Sequence, residues 1–188
     1  MKGTTDSYRG SALHLRRVCP RLLVVLALAL ACGCSSPQAR QARFQKRYTA
    51  ARELFGKTVK ECHLPSAEAK GAEQDQLLQQ AAAGYQQLLR KYNDQPEWCA
   101  QALRSLGNVR AAQGQLDQAI ACYRQVGEKY SGYDWEVIQA WKSAADLLWE
   151  AGRQAEAKPF YAQIVTRFDT ADVPAVMATI VKAAKPKL

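Results

Sequence analysis

Residues 81–92 read Ala-Ala-Ala-Gly-Tyr-Gln-Gln-Leu-Leu-Arg-Lys-Tyr, and two later stretches, 119–130 and 157–168, repeat that pattern at a step of 38 residues. Ala81, Tyr85, Gln87, Leu88, Lys91 and Tyr92 align with Ala119, Tyr123, Gln125, Val126, Lys129 and Tyr130. The third copy supplies Ala157, Tyr161, Gln163, Ile164, Arg167 and Phe168. A fixed step of this size marks supersecondary units stacked on one continuous core, so the expected product is an extended binding surface rather than a catalytic pocket.

Outward from these stretches, the spacing of apolar residues is helical throughout. Asp94-Gln95-Pro96-Glu97 predicts a helix start, with Asp94 accepting from free first-turn amides and Glu97 completing a capping box. That helix should run to about Gln113 and stop at Gly114, which tolerates the left-handed conformation of a helix end. A second helix over 115–130 follows, then a pair over 135–151 and 153–168 divided at Gly152. Asp172-Val173-Pro174 opens a last helix to about Ala184. Upstream, Phe44, Tyr48, Ala51, Phe55 and Val59 lie along one face of a helix over 39–62, which Pro65-Ser66 should break. Pro159, two turns into its helix, would cost roughly 3 kcal/mol if fully interior, so a late start or a bend is expected there. No alternating strand pattern occurs from residue 34 onward, and the fold class is all-α.

Leu106-Gly107, Gly114, Ala119 and Tyr123 in one unit, and Ala144-Ala145, Gly152, Ala157 and Tyr161 in the next, resemble the tetratricopeptide repeat (TPR) family. The resemblance covers 74–170, and 39–73 more loosely. It implies a TPR-like α-solenoid of about three helix pairs with a C-terminal capping helix, in which small residues let paired helices approach. The family's usual step is about 34; the added residues here fall between Val126 and Ala144, about one helical turn. The resemblance also implies a concave groove lined by the first helix of each unit, at exposed positions between packing residues. Carried onto this sequence, those are Gln101, Arg104, Asn108 and Ala111, then Gln139, Lys142, Asp146 and Trp149. A cation and an amide one turn apart suit a peptide carboxylate, and Trp149 suits an apolar anchor. Alternatively, Arg104 pairs with a local acid and Trp149 packs on the last helix. Units ending in a basic residue and an aromatic are similar to those of outer-membrane assembly and Tol–Pal-associated proteins. Such units carry a following proline where this chain has Asn93, Ser131 and Asp169.

The N-terminal region reads differently. Arg16, Arg17 and Arg21 precede the apolar run 22–31 and the small residues Cys32-Gly33-Cys34-Ser35-Ser36, the layout of a secretory signal over 1–33. Leu30-Ala31-Cys32-Gly33-Cys34 resembles a bacterial lipobox, which makes Cys34 the expected lipidated residue, with 34–38 as tether and 39–188 as the helical domain. An ordinary signal peptide and a twin-arginine signal are the alternatives. The net charge of +9 is unevenly placed: 1–33 carries +4, 38–62 carries +5, and everything from His63 onward sums to zero. Basic charge next to an anchor fits anionic head groups, whereas a nucleic-acid binder would carry it over the folded body.

After processing, Cys62, Cys99 and Cys122 remain besides Cys34. Their places on antiparallel helices predict three free thiols. His14 and His63 are the only histidines, and no phosphate loop, GxGxxG or GxSxG occurs. The expectations are a non-enzyme without metal or cofactor that binds a protein or peptide, reaches the membrane through its lipid, and takes no nucleic acid or small-molecule substrate. Its place would be the periplasmic face of the outer membrane, as an adaptor in an envelope complex. A structural subunit of an assembly or secretion machine and an accessory subunit of an envelope enzyme are the other readings.

Overall fold

The computed structural model describes residues 36–188. Residues 42–188 form one compact unit, which holds all the repeats. The predicted leader and the Cys34 lipidation site lie outside the described residues. Among the described residues, seven helices of ten residues or more succeed one another: α1 (Pro37–Thr58), α2 (Ala72–Lys91), α3 (Pro96–Ala112), α4 (Leu116–Lys129), α5 (Asp134–Glu150), α6 (Gln154–Phe168) and α7 (Ala175–Ala184). Among the described residues there is no strand, and each helix from α2 onward packs on its neighbours in sequence. This is an all-α solenoid of stacked helix pairs.

The turns inside the last two pairs are copies of one another. Gly114 (φ +72°) donates to the Ala111 carbonyl and Gln115 to that of Arg110; Gly152 (φ +76°) donates to Trp149 and Arg153 to Leu148. Both are Schellman ends, which need a left-handed residue that glycine supplies without steric cost. Turns between pairs also repeat, with Gln95 donating to the Tyr92 carbonyl and Tyr133 to that of Tyr130.

The repeated columns form the core. Ala81, Tyr85, Leu88, Ala119, Tyr123, Val126, Ala157, Tyr161 and Ile164 are all buried, and two clusters join through Leu89, Cys122 and Tyr130. Small residues set the helix approach as expected. A Cβ placed on Gly107 would lie 2.5 Å from the Tyr123 ring, and one on Gly84 would collide with the Thr58 side chain.

Three local expectations change. Asp94 does not cap α3: the N-cap is Gln95, without a side-chain cap hydrogen bond. Instead Arg47 grips both Asp94 carboxylate oxygens at 2.6 Å, and the Glu97 carboxylate accepts from the Tyr48 hydroxyl. An Arg fork gives a carboxylate two charge-assisted bonds, more than one neutral amide offers. Pro65 does not break the first helix, because α1 widens into a π turn over Val59–His63 and runs on through one α turn, Leu64–Ser66. Pro159 sits inside α6, which starts at Gln154. Only about one turn of helix precedes it, and its exposed position leaves the unpartnered carbonyl behind it within reach of water.

The first helix is held differently from the rest. Phe44, Tyr48, Phe55 and Trp98 form an aromatic row with centroid spacings of 5.5 to 6.4 Å, and Phe55 reaches Tyr85 at 5.7 Å. Among the described residues no helix is long and apolar enough to cross a membrane.

Candidate functional site

The buried tyrosines of the repeat do more than pack. Each ring lies in the core, but its hydroxyl reaches the face formed by the first helices, where a polar side chain meets it. Tyr123 donates to Asn108 Oδ1 at 2.8 Å, and Tyr161 donates to Asp146 Oδ1 at 2.6 Å, both across 15 residues. In the first unit the Tyr85 hydroxyl meets His63 Nδ1 at 2.7 Å. A hydroxyl from the following first helix faces the same oxygen: Ser105 at Tyr85 and Ser143 at Tyr123. The result is a ladder of three phenols, one per helix pair, running along one face.

Electrostatics keep this ladder neutral where it is deepest. Burial pushes the Tyr85 and Tyr123 phenols up to about 12, so both remain donors at any physiological pH. Burial, and then the nearby Arg104 guanidinium, holds His63 below its ordinary value. Asp146 behaves oppositely: burial alone would raise it, but hydrogen bonds from Lys142, Tyr161 and Lys187 outweigh that and hold it low.

The residues expected to line the groove are half-buried rather than freely exposed. Gln101 borders a recess of about 290 Å³ with Trp135 and Glu136. Arg104 Nε donates to Glu136 Oε2 at 2.5 Å, tying α3 to α5. Asn108 is occupied by Tyr123, and Ala111 packs at the edge of the core. Lys142 donates to Asp146 Oδ2 at 2.6 Å, one turn away, and Gln139 lies beside them on α5. Trp149 stands edge-on to Tyr161 with centroids 6.0 Å apart. Glu136, His63 and Lys187 meet Arg104, Tyr85 and Asp146 respectively without any local sequence pattern to mark them out, whereas the ladder hydroxyls are signalled only by Tyr in place of Phe in the core column.

Glycine turns 38 residues apart, and one tyrosine per pair in the seam, make the stack a repetition of one unit. Residues 101–133 match the tetratricopeptide repeat. The matched segment runs from Gln101 in α3 through α4 to Tyr133, so it contains Arg104, Asn108 and Tyr123. No curated protein and no solved structure matches the chain. The tetratricopeptide repeat is typically a non-catalytic scaffold for protein interaction, and the arrangement described agrees with that use.

The three cysteines of the helical domain are covered to different degrees. Cys99 is buried and donates from Sγ to the Tyr92 carbonyl at 3.2 Å, and Cys62 and Cys122 are half-buried. Burial pushes all three thiols up, whereas nucleophilic cysteines have depressed values. Among the described residues, no cluster of three His, Cys, Asp or Glu side chains is placed to hold a metal ion.

A second recess lies on another face of the stack. Arg124 and Gly127 of α4, Trp141 of α5, and Pro159 and Phe160 of α6 enclose about 480 Å³. A Cβ on Gly127 would lie 2.5 Å from Trp141 Nε1, so glycine there is what lets the indole floor the recess.

Proposed function

We propose that the protein is a lipid-anchored adaptor of a bacterial cell envelope, holding a protein or peptide partner along the first-helix face of its repeats. The observation that carries this reading is the hydroxyl ladder of Tyr85, Tyr123 and Tyr161, with His63, Asn108 and Asp146 as its partners. It holds one half-buried polar side chain per helix pair, His63, Asn108 and Asp146, in a fixed position on the first-helix face, which suits an extended chain better than a compact substrate. Gly33-Cys34-Ser35 supports acylation at Cys34, and the +5 charge over 38–62 supports a position close to anionic lipid. The periplasmic face of the outer membrane is the location these features favour.

A photo-crosslinking residue at Gln139, on the ladder face, tests this against one at Gln163, which borders the second recess. An adaptor of the proposed kind gives a discrete cross-linked partner from Gln139, lost in a Cys34→Ser protein released from membranes. A product from Gln163 alone would favour the other reading, a structural subunit that docks through the recess floored by Trp141.

A further inference from the structure

The third rung of the ladder differs from the other two. Where the second unit has Asn108 and Ala111, the third has Asp146 and Trp149, so a carboxylate and a second aromatic ring flank the Tyr161 hydroxyl. The chain's own Lys187 enters this place from the turn after α7. Its Nζ lies 2.9 Å from the Tyr161 oxygen and 3.3 Å from Asp146 Oδ1, and it stands 5.0 Å from the Tyr161 ring centroid and 5.4 Å from that of Trp149. One carboxylate, one phenol oxygen and two π faces around a single ammonium form a cation cage.

The hold on that lysine is local and wet. The Lys187 side chain is 35% exposed, and a recess of about 160 Å³ adjoins it. The turn that delivers it, Lys185–Lys187, is otherwise tied down by Lys185 to Asp169 and by Lys158 to the Leu188 carbonyl, all at exposed positions. Exposed pairs of this kind contribute little, and segments held by them open readily. The cage itself is built on α5 and α6 and does not depend on the turn.

We propose that Asp146, Tyr161 and Trp149 form a recognition site for a lysine side chain of a partner protein, which Lys187 fills as an exchangeable stand-in. Lysine suits the site better than arginine. The second Asp146 oxygen is already taken by Lys142, so a guanidinium would find no pair of free acceptors for its fork. The inference rests on the adaptor reading for the existence of a partner, although the chemistry of the cage stands apart from it.

The test uses the N-acetylated peptide Lys-Pro-Lys-Leu, which copies the chain's own turn, titrated into the full helical domain while the Trp149 indole N–H signal is followed. Displacing an internal occupant weakens apparent affinity in proportion to its occupancy, so Lys187→Ala should bind the peptide at least about fivefold more tightly than the unaltered protein. Replacing the second lysine of the peptide by norleucine should abolish binding to Lys187→Ala. Asp146→Asn or Tyr161→Phe, added to Lys187→Ala, should weaken it at least about tenfold with helix content retained. Equal binding by Lys187→Ala and the unaltered protein, equal binding of the norleucine peptide, or no binding by either protein overturns the proposal. A lysine preference that persists without any Gln139 cross-link would sink the adaptor reading and leave the cage standing.

Discussion

Arg104 on α3 and Glu136 on α5 meet at 2.5 Å, with the Glu136 side chain 10% exposed and that of Arg104 23%. The pair joins the first helices of successive units, and its removal is not symmetrical. Arg104→Ala strands a buried carboxylate, whereas removing both charges together does not. We expect Arg104→Ala to destabilise the domain by about 1–3 kcal/mol, and Arg104→Ala with Glu136→Gln to recover part of that. Urea unfolding of the single and double variants checks this; equal stability of Arg104→Ala and the unaltered protein would show that the pair contributes nothing. Partner binding by Arg104→Ala must therefore be read beside its stability.

Tyr123 separates packing from the hydroxyl ladder. Tyr123→Phe keeps the ring and loses the bond to Asn108, which predicts a loss of about 1 kcal/mol. Tyr123→Ala leaves a cavity at the seam and should cost about 3 kcal/mol or more, with neighbouring units melting together. Gly107→Ala drives a methyl against the same ring, for an overpacking cost of about 1–3 kcal/mol. Thermal melting of the three variants in parallel is the measurement, and a Phe variant as unstable as the Ala variant would contradict the division.

His63 should make the fold acid-sensitive. Its folded pKa lies below its unfolded value because burial, and secondarily Arg104, disfavour the imidazolium. The stability it contributes is therefore fully present above about pH 6.5 and is lost as pH falls below that toward the folded pKa. The slope from this one group cannot exceed about 1.4 kcal/mol per pH unit. Denaturant midpoints of the unaltered protein and His63→Gln between pH 7.5 and 5 check the sign. A decline of the same steepness in both would assign the acid sensitivity elsewhere.

Arg47 bonds both Asp94 oxygens and the Lys91 carbonyl, and these contacts pin α1 to the α2–α3 turn. Asp94 is held below the usual carboxylate range, chiefly by the Arg47 hydrogen bond. Arg47→Ala should speed amide exchange over 42–58 and leave the melting temperature of the later pairs unchanged, as expected for a locally opening segment. Hydrogen exchange resolved by peptide reads this out directly; unaltered exchange would show that the aromatic row alone holds α1.

The helix pairs were legible because burial writes a period into the sequence. Ala119, Tyr123 and Val126 recur at helical spacing, and Gly114 and Gly152 stand where only a left-handed residue closes the turn. Contacts between distant residues leave no such mark. Asp94 satisfies the local rules for a helix cap, yet Arg47, 47 residues upstream, takes its carboxylate. Register along the first helices picks out the groove candidates, but their partners leave no mark in it: Glu136, which meets Arg104, comes from the next unit, and Lys187, which meets Asp146, comes from beyond α7. The choice of Tyr rather than Phe in the core column was the one available signal for the ladder, since a buried phenol needs a partner. The π turn over Val59–His63 had no sequence signature at all.

Gly114 and Gly152 carry a mechanical consequence. Each closes its pair through backbone hydrogen bonds, to which Arg110 adds side-chain bonds to Gln113 and Gln115 at the first turn, so main-chain geometry at the turn joins the packing of the seam in setting the angle between paired helices. A residue with a Cβ at φ near +72° is strained by about 1–2 kcal/mol and would relieve that strain by rotating the turn. Rotation at Gly114 is amplified along the lever arm of α4 to α7, whereas the same rotation at Gly152 moves only α6 and α7. Both turns thus bear on the distance from the His63 end of the ladder to the Lys187 end, and a partner spanning it would sense a change at either turn as a change in reach.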